Sequence, residues 1–170
     1  ARRRSTGESF FRALYRLIGK NPRRYGGYII HAGVAVKALG IVVSSSYQVH
    51  QEAQLGPGKS MRVERFRIEM VDLTEGRLPN AEWVRATLNV FNGDRPIGRI
   101  YAEKRQYEKT DQPHTETGVL ARVFYDLYVV LAGWENGEAI LHVYVNPLVS
   151  CVWAGGIILL AGAGVCLWPV

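Results

Sequence analysis

The residue best suited to chemistry is His31, which lies inside an apolar stretch long enough to cross a membrane. An ionisable side chain at membrane depth is costly and rare, so it predicts a functional site. Imidazole is a common ligand of metal ions and of haem iron. On a helix, the small residues Gly27, Ala35 and Ala38 share the face of His31. They leave room for a flat macrocycle or for a second helix, so ligand binding, hydrogen bonding between helices and proton transfer all stay open.

The other ionisable candidates give weaker signals. Lys37 follows His31 by six residues, about 600° of helix rotation, so the two do not share a face. It either meets a carboxylate, a propionate or a cavity, or extends its ammonium group to the interface. His50, His114 and His142 have no second His, Cys or carboxylate at the spacing of a metal site, so we expect ordinary surface or sheet positions for them.

No arrangement of side chains predicts a complete catalytic centre within the chain. Asp111, Glu116 and Asp126 have no spaced nucleophile and base, so no catalytic residue is assigned. Residues 101–105 and 115–116 are polar and are predicted to form buried or interfacial clusters. Cys151 and Cys166 lie about 22 Å apart on one predicted helix, too far for a disulfide between them.

Four segments position these residues. Residues 1–22 are predicted to form a basic amphipathic segment in the interface on the cytoplasmic side, and residues 23–47 a transmembrane helix with His31. Residues 48–147 are predicted to be a β-rich extracytoplasmic (periplasmic) domain, and residues 148–170 a second transmembrane helix. The expected fold is therefore an α plus β membrane protein, in which two transmembrane helices bracket a small β-sandwich or barrel-like domain.

Period-two alternation supports the β assignment. Val84, Ala86, Leu88 and Val90 alternate with polar residues, and Asn92-Gly93 predicts a hairpin turn. Further strands are predicted at residues 63–70, 124–131 and 140–145.

Charge is unevenly distributed along the chain. The net charge is +6, and residues 1–25 hold eight Lys and Arg against one acidic residue. A basic block beside an apolar stretch is typical of the cytoplasmic flank of a membrane span, or the matrix flank in a mitochondrion. We expect no nucleic-acid partner, because no aromatic stacking platform accompanies the arginines. The start at Ala1 and the end in an apolar run suggest a piece of something larger.

A series of motifs, in order along the chain, resembles the C-terminal part of the CcmF family, the haem lyase subunits of system I cytochrome c biogenesis. The matching residues are NPRRYGGYIIH at 21–31, ALGI at 38–41, SSSY at 44–47, LGPGKS at 55–60, YAEKRQY at 101–107, TE at 115–116, DLY at 126–128, and 146–156 from NPL to WAGG.

The resemblance implies a role in attaching haem to apocytochrome c at a CxxCH motif in the bacterial inner membrane or the mitochondrial inner membrane. It also implies that His31 is an axial ligand of a structural haem b, with a partner histidine on an earlier span outside this chain. That haem would relay electrons, with quinol as a candidate donor, to the substrate haem. The family's tryptophan-rich segment and its two external histidines have no match here, so the chain lacks a complete active site.

The resemblance also implies a set of partners. They are the remaining transmembrane part of the haem lyase, other cytochrome c maturation subunits, apocytochrome c, a haem-carrying chaperone and the lipid membrane. The alternative is a non-enzymatic membrane scaffold whose β-domain recruits assembly partners, with His31 bonding only to a neighbouring helix.

Overall fold

The computed structural model describes residues 18–107 and 112–168 of the 170-residue chain. The chain divides into two units: Ala1–Val42 with Val149–Val170, and Val43–Leu148. We call the described part of the first unit the helix pair and the second unit the β-domain. Most of the amphipathic segment predicted at residues 1–22 lies outside the described residues.

Two long apolar helices form the first unit. Helix α1 is Pro22–Ser46 and helix α2 is Val149–Cys166. Asn21 interrupts the helical residues 18–20, and its carbonyl accepts a hydrogen bond from the Tyr25 N–H at 3.1 Å. Pro22 suits the first helical position, because its fixed φ favours the helix and it has no N–H to satisfy. At about 37 Å and 27 Å, both helices are long and apolar enough to cross a membrane.

Glycine residues bring the two helices into direct backbone contact. A Cβ added at Gly33 would lie 2.8 Å from the Leu159 nitrogen and 2.9 Å from the Gly155 oxygen, distances that no side chain tolerates. The buried glycines recur every seven residues on both helices: Gly26, Gly33 and Gly40 on α1, and Gly155 and Gly162 on α2. Small residues at such spacing allow close packing in a membrane, where lipid gives no hydrophobic drive for association.

The β-domain is a sandwich of two antiparallel sheets. Its strands are β1 Val49–Leu55, β2 Ser60–Val63, β3 Phe66–Leu78, β4 Ala81–Asn92, β5 Arg95–Tyr107, β6 His114–Glu116, β7 Gly118–Ala121, β8 Tyr125–Glu135 and β9 Glu138–Pro147. One sheet has the order β1-β9-β8-β7 and the other β2-β3-β4-β5-β6. The predicted fold class is confirmed, and the sandwich form replaces the barrel-like option.

The core lies between the sheets and follows the period-two pattern. Val84, Ala86, Leu88 and Val90 all point inward, as their alternation predicts. They meet buried side chains of the opposite sheet, including Leu127, Leu131, Leu141 and Val143. The outward-facing residues of both sheets therefore remain available for polar contacts.

One local sequence prediction is wrong, and another is shifted by one residue. The single strand expected at residues 63–70 is wrong: Val63 pairs with Phe66, and Glu64 and Arg65 form a tight turn between β2 and β3. Glu64 adopts a φ of 51°, a conformation that local sequence does not signal for glutamate. The hairpin predicted at Asn92-Gly93 forms between β4 and β5, but Asn92 pairs with Arg95, so its turn begins at Gly93, with φ 60°.

Candidate functional site

His31 lies on an exposed side of α1, with a defined ring orientation. Its Nδ1 is 2.7 Å from the carbonyl oxygen of Gly27, one helical turn earlier. A carbonyl oxygen only accepts hydrogen bonds, so Nδ1 carries the proton in this contact. In the neutral form of the ring, Nε2 keeps its lone pair and points away from the bond. A backbone carbonyl on one ring nitrogen is the usual support for a histidine whose other nitrogen binds a metal.

The helix face around His31 is lined by small residues. Ala35 and Ala38 are exposed, and among the described residues nothing approaches within 4 Å of a Cβ built at Gly27. Gly33 and Gly40, in contrast, are buried against α2. Helix α1 therefore uses one side for pairing with α2 and presents His31 on another side.

Arg24 and Tyr28 extend this face toward the N-terminus of α1. Arg24 is seven residues before His31, almost two full turns, so both side chains leave the helix in similar directions. The Arg24 Nε–H donates to the Tyr28 hydroxyl at 2.9 Å. Along the helix axis, Arg24 lies roughly 10 Å and Tyr28 about 4.5 Å from His31. The seven-residue spacing of Arg24 and His31 is visible in the sequence, but the contact between Arg24 and Tyr28 is not.

Lys37 belongs to the pairing side of α1. A Cβ built at Gly155 would lie 2.6 Å from the Lys37 nitrogen, so the backbone at Lys37 packs directly on α2. The side chain is half-buried. Its separation from the His31 face agrees with the predicted rotation of about 600°.

The polar cluster predicted around residues 101–105 and 115–116 forms on the outer face of the five-stranded sheet. Glu103 is 4% exposed and accepts hydrogen bonds from Arg85 Nε at 2.7 Å and from Arg105. Arg105 also pairs with Glu116 at 3.2 Å. Burial opposes ionisation of Glu103, but the hydrogen bonds from Arg105 and Arg85 outweigh it and hold its pKa below the ordinary value. These contacts connect β4, β5 and β6.

All three histidines of the β-domain lie on strands, and two of them come together with a carboxylate. His50, Glu52 and His142 place their ligand atoms within 4.8 Å of one another. Glu52 lies opposite His142 in the register of β1 and β9, and His50 is two residues from Glu52 on the same face. Spacing along the chain hides this group, since strands 90 residues apart supply it. His114, in β6, has its ring 5.5 Å from the ring of Tyr107.

Two tryptophans that stand apart in the sequence line one cavity. Trp83 and Trp134 border a space of about 650 Å³ together with Arg77, Lys104 and Gln106. The Trp83 ring covers Gly76, whose missing side chain makes the contact possible. Lys104 donates to the carbonyl oxygen of Ala132, which belongs to the opposite sheet. The cavity thus lies where the two sheets meet.

Comparison with known proteins identifies the family. Residues 46–147 match the family model described as the CcmF C-terminal beta-sandwich. The chain belongs to the CcmF family. Among its relatives, the cytochrome c-type biogenesis protein CcmF of Escherichia coli K12 is 32% identical over 145 residues, which cover 85% of this chain and 22% of that protein.

Other members of the CcmF family agree. CcmF of Pseudomonas fluorescens is 33% identical over 141 residues, covering 82% of this chain and 21% of that protein. CycK of Rhizobium meliloti is 28% identical over 153 residues, covering 89% of this chain and 23% of that protein. The solved structure named cytochrome c heme lyase CcmF superposes with a TM-score of 0.73 at 22% identity, over 88% of this chain and 25% of that one.

The chain spans about a fifth of the length of the curated relatives that it matches. Membership in the CcmF family, together with two helices of spanning length, indicates an integral membrane protein.

Proposed function

We propose that the chain is the C-terminal part of a CcmF-type haem lyase and supplies His31 as one axial ligand of a haem b. The orientation of the His31 ring supports this proposal most directly. With Nδ1–H bonded to the Gly27 carbonyl, Nε2 is the free ligand atom on an exposed helix face. When bound, the haem supplies one-electron chemistry between quinol and the substrate haem iron.

The residues of α1 fit a flat macrocycle. Gly27 leaves space on one side of the imidazole, and the small exposed side chains of Ala35 and Ala38 leave space on the other. One histidine holds only one axial position, so a second histidine from outside this chain completes the site in the proposal.

Arg24 and Tyr28 are suited to the acidic groups at the edge of a haem. Guanidinium binds carboxylates in a charge-assisted geometry, and the Tyr28 hydroxyl holds Arg24 Nε at 2.9 Å. The two side chains lie on the His31 side of α1, toward its N-terminus. In this proposal, Arg24 binds a propionate and His31 binds the iron.

The membrane topology completes the proposal. The basic residues before α1 favour the cytoplasmic or matrix side for its N-terminus. Because α1 precedes the β-domain and α2 follows it, the β-domain then lies on the periplasmic or intermembrane side. There it meets the rest of the lyase, other maturation subunits, a haem-carrying chaperone or apocytochrome c.

The ligand assignment is tested by the visible spectrum of the assembled membrane complex purified through this chain. His31→Ala is expected to remove the reduced b-type signal, and His114→Ala is expected to leave it intact. A b-type signal of unchanged intensity and position in His31→Ala would refute the assignment. A complex that purifies without colour in its unaltered form would instead support the scaffold function, in which His31 only bonds to a neighbouring helix.

A further inference from the structure

A group of three potential metal ligands lies on the outer face of the four-stranded sheet, in the β-domain. His50 and Glu52 project from β1 on one side of the sheet, since they are two residues apart in a strand. His142 projects from β9 on the same side, directly opposite Glu52. The site is separate in sequence from the His31 region and plays no part in the function proposed above.

The distances approach those of a coordination sphere. Glu52 Oε1 lies 3.5 Å from His50 Nε2 and 3.5 Å from His142 Nδ1. Around a tetrahedral ion with bonds of about 2.0–2.1 Å, ligand atoms are roughly 3.3 Å apart. Two of the three separations therefore need only small rotations of the side chains. The third separation, between the two imidazole nitrogens, is within 4.8 Å.

The surroundings orient the two histidines. The ring of His50 stacks on Tyr144 with centroids 4.4 Å apart and planes 7° apart. His142 stands between Leu141 and Val143, both fully buried in the core, so the backbone that carries it is anchored. The ligands thus project from two paired strands, a more rigid support than a loop.

We propose that His50, Glu52 and His142 bind one divalent late transition-metal ion, such as Zn²⁺ or Cu²⁺. Two imidazole nitrogens and one carboxylate oxygen suit these ions, whereas Ca²⁺ and Mg²⁺ prefer oxygen ligands. Three protein ligands leave at least one coordination position open for water or for a side chain of a partner. The ion joins the first and the last strand of the β-domain, because β1 pairs with β9.

The test is Zn²⁺ titration of the full chain in detergent by calorimetry. It uses a His31→Ala background, so that the imidazole of α1 does not compete. His142→Ala and Glu52→Gln are each expected to weaken binding at this site by about tenfold or more. His114→Ala is the matched control, because it removes a β-domain histidine from a strand outside this sheet. It is expected to leave the affinity unchanged.

A second measurement identifies the ligand atoms. With Cu²⁺ as the probe, electron spin-echo envelope modulation is expected to show two imidazoles in the His114→Ala protein and one in the His142→Ala protein. Equal Zn²⁺ affinity in the His142→Ala and His114→Ala proteins would overturn the proposal. So would a Cu²⁺ signal that does not change with His142.

Discussion

Replacing Glu103 with glutamine is expected to destabilise the β-domain by about 2 kcal/mol at pH 7. The buried carboxylate accepts hydrogen bonds from Arg85 and Arg105. Hydrogen bonds to a charged group contribute about 1.5–3 kcal/mol, and loss of one partner from a fully buried pair costs about 3–5 kcal/mol. The side chains of Arg85 and Arg105 are 41% and 28% exposed, so both regain water when the carboxylate is lost. Because the arginines regain water, we expect a loss in the range of about 1.5–3 kcal/mol and not in the range of about 3–5 kcal/mol.

The hydrogen bonds to Glu103 also predict that the stability of the β-domain depends on pH. Burial raises the pKa of Glu103, but the hydrogen bonds from Arg105 and Arg85 lower it by more. Its folded-state pKa therefore lies below the ordinary value of 4.5. A carboxyl with a lowered folded-state pKa contributes its full stability above the unfolded-state pKa. The contribution is lost as the pH falls through the folded-state pKa. The difference between wild type and Glu103→Gln is therefore expected to shrink as the pH falls below 4.5.

Hydrogen exchange of the full chain in detergent measures this effect strand by strand. The free energy of opening is read from amides of β4 and β5 at pH 7 and again in acid. Glu69→Gln is the matched control, since Glu69 also pairs with an arginine, Arg67, at 2.9 Å, but both side chains are 36% exposed. It is expected to change stability by less than about 0.5 kcal/mol. Equal effects of the two substitutions at pH 7, or a Glu103→Gln effect that persists in acid, would show that the ionised Glu103 carboxylate does not stabilise the β-domain.

Two further predictions concern packing. Gly33→Leu is expected to force the helix pair apart and lower its thermal stability in detergent, because a Cβ at Gly33 meets a backbone atom of α2 at 2.8 Å. The control Gly156→Leu is expected to have little effect, since nothing described lies within 4 Å of a Cβ at Gly156. Equal melting temperatures of the two variants would contradict this prediction. Leu141→Ala is expected to lower the free energy of unfolding of the β-domain, measured in urea, by about 2–5 kcal/mol, because Leu141 is fully buried. The control Leu78→Ala, at an exposed position, is expected to lower it by under about 0.5 kcal/mol. A loss under about 1 kcal/mol for Leu141→Ala would contradict this prediction.

The features that the sequence predicts are those with local signals. The buried face of β4 follows from the alternation of Val84, Ala86, Leu88 and Val90, because side chains alternate sides in a strand. The heptad glycines of α1 follow from helix periodicity in the same way. The interruption at Asn21 follows from the proline next to it.

The features that the sequence missed depend on contacts between distant segments or on backbone conformation. His50 and His142 come together through the pairing of β1 with β9, which no spacing along the chain reveals. Trp83 and Trp134 likewise border one cavity from opposite sheets. The turn at Glu64 was missed because its positive φ occurs without glycine or asparagine.

The most direct test of His31 as a haem ligand is electron paramagnetic resonance of the oxidised complex with His31→Met, compared with His114→Met. Methionine fills a volume similar to that of histidine and binds haem iron through sulfur, and His/Met ligation raises the reduction potential relative to His/His ligation. His31→Met is expected to abolish the low-spin signal of a haem with two imidazole ligands, and His114→Met is expected to preserve it. An unchanged bis-imidazole signal and an unchanged potential in the His31→Met complex would contradict it.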